Sequence, residues 1–281
     1  MSGTTRDLKR RLKSIVATEQ MTKAMKTVAV AKYNKTLTVT EKFDVYAAQC
    51  RHLLAALGSA AETQREAAPC GRVCYVLVTG NRGLCGMYNL EIVRYLQECI
   101  AREPRPVDLV ICGKYGAGIQ NTITGAQVIG CFDIADIPTY EEARRLYDYL
   151  RELYESGRAD EVSFVCQQFK NVLVQTPCMQ QVFPRQPEQT ENAGSTEYLF
   201  LPERDAIIGS LMDLCAAASV YRTLLDCALG VHGATLTAMR TAADNSAEMY
   251  NELSLTLNRM RQMAATTEVI ELSGSAAARE D

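Results

Sequence analysis

The residues of this chain that could do chemistry fall in three places. The first is a glycine-rich stretch, Gly80-Asn-Arg-Gly-Leu-Cys-Gly86, set between an apolar run and a helical pattern. Backbone N–H groups in such a strand-to-helix turn can cradle a phosphate. The spacing, however, is G-x-x-G-x-x-G, not the dinucleotide G-x-G-x-x-G, and no G-K-[ST] follows as in a P-loop. Glu103 lies about twenty residues on, but it precedes Pro104 and does not end a second strand. The plain reading is a tight turn that uses glycine for unusual backbone angles. The second place is the set of eleven cysteines and two histidines. Cys74, Cys99, Cys112, Cys166, Cys215 and Cys227 lie in apolar segments, where a thiol behaves as a small hydrophobe. The odd count argues against a disulfide framework and for a reducing compartment. Cys70-x-x-x-Cys74 is not a zinc spacing, and His52 and His232 both fall in long helical patterns, His232 on an apolar seam. No H-E-x-x-H, G-x-S-x-G or carboxylate-rich loop is present, so no catalytic residue, metal or cofactor is expected. The third place is Arg259, Arg261 and Gln262, which would protrude from a helix and suit carboxylates on a surrounding partner.

The elements that carry these residues are unusually long. From about Asp205 to Ala278 there is no proline, and an apolar stripe advances by alternating steps of four and three. It runs Leu211, Cys215, Ala218, Arg222, Leu225, Leu229, His232, Leu236, Met239, Ala243, Ser246, Tyr250, Leu253, Leu257, Met260, Ala264, and thirteen of these sixteen are apolar. A period of 3.5 is the seam of a left-handed supercoil. Such a helix would be roughly 100 Å long and must leave its own domain. Thr5 to about Leu57 reads as a second long helix, with Leu8, Leu12 and Ile15 on one stripe and Met21, Met25 and Val28 resuming it. Between them lie strands at 73–79, 107–113, 126–132, 161–170 and 172–183, the last interrupted by Pro177, and helices at 87–101, 114–121 and 139–156. This alternation predicts a parallel sheet with helices on its faces. The fold class expected is α/β: an antiparallel coiled coil of the two terminal helices with an inserted Rossmann-like α/β domain. The expected divisions are 1–58, 72–200 and 205–281. The C-terminal helix is the longer, so its tip should project alone.

Composition sets the bounds. The chain has 281 residues, 47% hydrophobic and 22% charged, with a net charge of −3. No run of eighteen apolar residues predicts a membrane span, and residues 1–11 are polar and basic with no secretory signal. Charge is unevenly placed: residues 1–42 carry ten Lys/Arg against three acids, and residues 205–281 carry five against ten. The two ends should therefore attract each other. The basic stretch lacks interleaved aromatics, which argues against nucleic acid as a partner.

Four motifs, in order along the chain, resemble a known family. They are Arg11-Leu-Lys-Ser-Ile15, Thr22-Lys-Ala-Met25, Asn81-Arg-Gly-Leu-Cys-Gly-Met-Tyr-Asn89 and Asn258-Arg-Met-Arg-Gln-Met-Ala-Ala-Thr-Thr-Glu-Val269. They are similar to R-L-K-S-I, T-K-A-M, D-R-G-L-C-G-x-Y-N and N-R-x-R-Q-x-x-I-T-x-E-L of the gamma subunit of the F-type ATP synthase. The resemblance implies a non-catalytic rotor shaft, one copy per complex, without cofactor or nucleotide. It implies passage through a ring of alpha and beta subunits, and seating on the epsilon subunit and on a membrane rotor ring of c subunits. Rotation would couple ion flow, typically of protons, to ATP synthesis, or hydrolysis to pumping. On matching positions it implies that Arg261, Gln262 and Thr266 contact a beta-subunit loop, that Lys23 and Met25 face the beta lever, and that Tyr198, Leu199, Phe200, Leu201 and Pro202 belong to the foot. The implied location is the cytoplasmic face of a bacterial inner membrane, with the matrix side for a processed mitochondrial chain as the alternative. A redox-regulatory cysteine insertion like that of the chloroplast form has no counterpart here.

The chain departs from the family pattern in places. Asn81 stands where Asp is usual, and Phe200-Leu-Pro-Glu203 where Glu often precedes Pro. Gly230-Val-His-Gly-Ala-Thr-Leu236 replaces a charged Ser-Glu-x-Ala-Ala-Arg-Met, and two glycines in a helix suggest a soft spot. The charged Arg279-Glu-Asp281 ends a tail that is usually apolar. Two other readings remain open at this stage: a coiled-coil tether that self-associates, and an oxidoreductase with helical arms that binds a dinucleotide at the glycine turn.

Overall fold

Val73–Val78 (β1) and Val107–Cys112 (β2) are unbroken runs of residues that are buried without exception. Strands read this way when both faces of a parallel sheet are covered. The computed structural model describes residues 2–56, 69–184 and 204–277. The remaining elements, in order, are Ser2–Ala56 (α1), Tyr88–Arg102 (α2), Lys114–Gly118 (α3), Ala126–Phe132 (β3), Tyr140–Glu155 (α4), Glu161–Phe169 (β4), Gln175–Phe183 (β5) and Arg204–Ala277 (α5), with β1 before α2 and β2 before α3. The sheet order is β3-β2-β1-β4-β5. The first four strands are parallel, but β5 runs antiparallel to β4. This corrects the expected all-parallel sheet: only Lys170 to Val174 separate β4 from β5, too short for a crossover, so the chain must turn back. Pro177 does not interrupt β5. It sits on an edge strand opposite Gln167, where a missing N–H is tolerated.

Two apolar layers cover the sheet. On one face α2 lays Ile92, Leu96 and Ile100 against Tyr75, Leu77, Leu109 and Ile111. On the other, α4 lays Ala143, Leu146, Tyr147 and Leu150 against Val76, Val110 and Phe164. α4 starts at a capping box: Glu142 N–H donates to Thr139 Oγ1 (3.3 Å), and Thr139 N–H donates to the Glu142 carboxylate (2.8 Å). Such a cap contributes about 1 kcal/mol. The same second layer takes in Ala217, Val220, Tyr221, Leu224 and Leu225 of α5, with Val39 and Phe43 of α1 beside it.

The chain divides into two compact units, one from the segments up to Val28 and from Ala238 onward, the other from Ala29 to Thr237. In the larger unit α1 and α5 run antiparallel: Phe43 meets Tyr221 edge-on at 4.7 Å, Asp44 pairs with Arg222, and Lys32 and His232 converge on Asp136. Along α5 the expected seam is buried at Ala218, Leu225, Leu229 and His232. In the smaller unit it stays buried at Met239, Ala243 and Ser246, is half-buried at Leu253, Leu257 and Met260, and is exposed at Ala264. By length and composition α5 is apolar enough to cross a membrane, yet 56% of its apolar stretch is buried within the protein.

The α1 stripe differs from expectation. Met21 and Val28 are 57% and 55% exposed. The inward positions after Leu8, Leu12 and Ile15 are Glu19, Thr22, Lys26, Ala29, Tyr33, Thr36, Thr40 and Phe43, ending at Cys50. Threonines replace hydrophobes on this face because each can return its hydroxyl to its own helix: Thr22 to Glu19 O, Thr36 to Lys32 O, Thr40 to Thr36 O. Their methyl groups then face the interior and no polar atom is stranded.

Candidate functional site

The glycine turn is the natural place to look for a ligand, at the C-terminal end of the central strand. Its first N–H is already committed. The Gly80 N–H donates to Asn89 Oδ1 at 3.0 Å, and the Asn89 amide returns to Arg82 O and Cys85 Sγ, both at 3.3 Å. Leu84 (φ 66°) and Gly86 (φ 59°) take left-handed backbone to close the loop. Against this loop lies α5, not open space: a Cβ added at Gly80 would lie 3.1 Å from Val231, and one at Gly230 would lie 2.9 Å from the Tyr88 ring. The Tyr88 hydroxyl donates to Cys227 O of α5 at 3.1 Å. The geometry therefore makes the turn a seat for a helix, which accounts for Gly80 by the close approach of Val231, while the left-handed backbone accounts for Gly86.

Asn81 ties this seat to the rest of the unit. Its amide donates to Ile134 O (2.6 Å) and Asp136 Oδ1 (3.1 Å), and its oxygen accepts the Lys114 N–H (3.1 Å). An Asp here could not donate the two bonds that the amide makes. Asp136 also takes the ammonium of Lys32 from α1, and its backbone carbonyl accepts from His232 Nε2 of α5 at 2.8 Å. A carbonyl only accepts, so this ring nitrogen carries the proton. Four groups thus lock α1, α5, the turn after β1 and the segment after β3 at one point. The hydrogen bond from Lys32 holds the Asp136 carboxyl below the usual range, aided by Asn81 and against burial. Burial pushes His232 below its ordinary value, and the Lys32 charge adds to this.

Two further polar joints were not foreseen. Arg222, inside the apolar seam, donates from Nε to Asp44 Oδ1 of α1 at 2.5 Å and also pairs with Asp226. Asp213 of α5 receives Arg144 (2.7 Å), Arg151 (2.8 Å) and the Tyr147 hydroxyl (2.6 Å) from α4. Apart from Asp226, which is one turn from Arg222, partners this distant in sequence leave no periodic signal. Only the opposite charge of the two chain ends hinted at one of them.

No group of three metal-ligating side chains occurs among the described residues. What remains as a candidate site is surface. Arg261 to Ile270 are all exposed on α5, including Met263 (69%) and Ile270 (63%), and no ion pair holds Arg259 or Arg261 among the described residues. This stretch sets exposed apolar side chains beside exposed cationic ones on a single helix.

A family model described as ATP synthase matches residues 4–278. ATP synthase gamma chains from Desulfitobacterium hafniense and Moorella thermoacetica are each 35% identical, covering 98% and 96% of this chain and 99% and 97% of their own. This chain belongs to the ATP synthase gamma chain family. The gamma chain of Flavobacterium johnsoniae, at 32% identity over 97% of this chain and 98% of its own, shows the same full-length match. In fold, the chain is similar to one in the Euglena gracilis mitochondrial ATP synthase OSCP/F1/c-ring structure, with a TM-score of 0.71 and 19% identity over 99% of this chain and 95% of that one. A chain of the Tetrahymena thermophila central stalk/c-ring structure gives a TM-score of 0.58 at 20% identity, over 79% of this chain and 99% of that one.

As a gamma chain, it places the sequence-predicted contact residues as follows. Arg261, Gln262 and Thr266 lie together on the exposed stretch of α5, with the Thr266 hydroxyl donating to Gln262 O at 2.9 Å. Lys23 and Met25 lie on α1, well removed in register. Lys23 is exposed and paired with Glu19 at 2.6 Å, and Met25 is half-buried. Tyr198, Leu199, Phe200, Leu201 and Pro202, the expected foot, lie outside the described residues, as does the charged tail.

Proposed function

We propose that this gamma chain is the central rotor shaft of a rotary ATP synthase. It couples ion-driven rotation of a membrane ring of c subunits to the conformational cycling of catalytic beta subunits, and runs in reverse when ATP hydrolysis drives pumping. The observation that carries the reading is the inward stripe of period 3.5 on two proline-free helices, pinned to the α/β domain by Asn81, Asp136, Lys32 and His232. A shaft must transmit torque without slipping at its root, and charged joints with fixed partners resist rotation better than apolar packing alone.

The chain does no chemistry in this reading. Its glycine turn holds a helix, and it takes no cofactor. Its partners are the alpha and beta subunits, the epsilon subunit and the c ring, with one copy per complex and no nucleic acid. Lys23 and Met25 meet a beta lever, and Arg261, Gln262 and Thr266 meet a beta loop. Tyr198 to Pro202 seat the foot, and segments 1–58, 72–200 and 205–281 act as two shaft helices and a seat. The complex lies on the cytoplasmic face of a bacterial inner membrane. The test is reconstitution: the isolated chain hydrolyses no ATP, and alpha and beta subunits require it for turnover coupled to ion transport. Equal coupled turnover without the chain would refute the reading.

A further inference from the structure

Cys166 and Cys178 are both thiols, and they face each other across a strand pair. Cys166 on β4 and Cys178 on β5 are direct register partners in the antiparallel ladder, and their Sγ atoms lie 3.8 Å apart. Directly opposed residues of an antiparallel pair have Cα atoms about 4.5–5.5 Å apart. That lies inside the roughly 4.4–6.8 Å range that a disulfide requires. The sulfurs need only approach to about 2.05 Å, which side-chain rotation can supply without moving the strands. Cys166 is buried and Cys178 is half-buried on the edge strand, and both pack in the same apolar layer, so a reagent must enter from the side of the edge strand.

We propose that Cys166 and Cys178 form a reversible dithiol–disulfide site, oxidised by low-molecular-weight disulfides. The Cys178 thiolate attacks one sulfur of the reagent and expels a small thiolate. The Cys166 thiolate then attacks the Cys178 sulfur of the mixed disulfide and expels the second. Two protein thiols and one small disulfide thus become one protein disulfide and two small thiols, and the two electrons pass to the reagent. The hydrogen bond with Cys166, together with burial, raises the Cys178 thiol far above its ordinary range. Cys166 is raised as well, its bond to Cys178 being outweighed by one to Cys227 and by burial. Both attacking thiolates are therefore scarce near neutral pH, and closure is slow, quickening as pH rises.

The cross-link fastens the edge strand that α5 leans on. The Thr223 hydroxyl of α5 donates to Gln180 Oε1 at 3.1 Å, and Gln175 Nε2 lies 3.4 Å from a Cβ built at Gly233. Oxidation would fix β5 beneath the helix at a place the glycine turn does not reach. This inference does not depend on the rotor reading.

The test uses the full chain in oxidised glutathione, followed by acid quench, alkylation, digestion without reduction and mass spectrometry. The expected result is a linked peptide pair carrying Cys166 and Cys178, short of two hydrogens and reversed by dithiothreitol. Amide exchange in the β4–β5 hairpin should slow several-fold. Cys178→Ser, at a half-exposed site, should lose the cross-link while its circular dichroism is unchanged. Stable glutathionylation of Cys178 without closure overturns the proposal. So does a link from Cys166 to Cys227, or a cross-link that forms only in urea.

Discussion

Gly230 and Gly233 stand one helical turn apart on α5, yet substituting alanine should move stability in opposite directions. In a helix interior, Gly→Ala alone is worth about 1 kcal/mol of stabilisation. At Gly233 the new methyl would lie 3.4–3.7 Å from Gln175, Val172 and Phe169, which is ordinary contact, so the gain should survive. At Gly230 it would lie 2.9 Å from Tyr88 Cε2 and 3.2 Å from its hydroxyl. Tyr88 is buried and has no room to retreat without leaving Cys227 O. Overpacking costs about 1–3 kcal/mol, and a buried hydroxyl stripped of its partner costs a further 1–3 kcal/mol or so. The penalty exceeds the propensity gain, and Gly230→Ala should be destabilising by about 1–5 kcal/mol. Urea unfolding followed by circular dichroism gives the shift in midpoint at constant m-value. Tyr88→Leu in the same background should recover most of the loss, because the two sites touch. If Gly230→Ala stabilised as much as Gly233→Ala, the close approach of α5 to the turn would be refuted.

Three other outcomes follow from the joints. His232 is held neutral, with a folded value below its unfolded one, so its contribution is present above about pH 6.5 and lost as pH falls through the folded value. His232→Gln keeps a donor for Asp136 O but cannot titrate, so the drop in urea midpoint between about pH 8 and pH 5 should shrink in the variant. Asp136 has a depressed folded value, so its stabilisation is present above about pH 3.9 and is lost as pH falls below that. Lys32→Met should move its carboxyl titration upward by NMR, and an unmoved titration would remove Lys32 from the joint. Arg261→Ala with Gln262→Ala should lower coupled ATP turnover in the assembled complex while leaving the urea midpoint unchanged, since both side chains are exposed.

Much of the architecture was legible because it is periodic. The buried strand β1 declared itself as an unbroken apolar run and β2 as one broken only by Asp108. The α5 seam did so as a 3.5-residue stripe that is buried at Ala218, Leu225, Leu229, His232, Met239, Ala243 and Ser246 and half-buried at Arg222 and Leu236. The α1 stripe was half hidden because its interior face uses Thr22, Thr36 and Thr40, whose self-bonded hydroxyls let polar residues serve as core. Hydrophobicity therefore pointed to Met21 and Val28, which face outward. The reversal of β5 could have been read from the five residues after β4, had the hairpin length been weighed against the parallel pattern. The joint at Asp136 could not be read at all. Lys32, Asn81, Asp136 and His232 are scattered over two hundred residues, and only the folded chain brings them together. Gly230 looked like a weak point in a helix, and its reason, the ring of Tyr88, is likewise a tertiary contact.

The most direct test of the shaft reading is to assemble this chain with matching alpha and beta subunits, fix the ring to a surface and attach a probe at Gly83, where an added side chain meets nothing within 4 Å. During ATP hydrolysis the account predicts unidirectional steps of about 120°, the angle imposed by three equivalent catalytic sites around one shaft. A folded chain that enters the ring but stays still while ATP is consumed would contradict it.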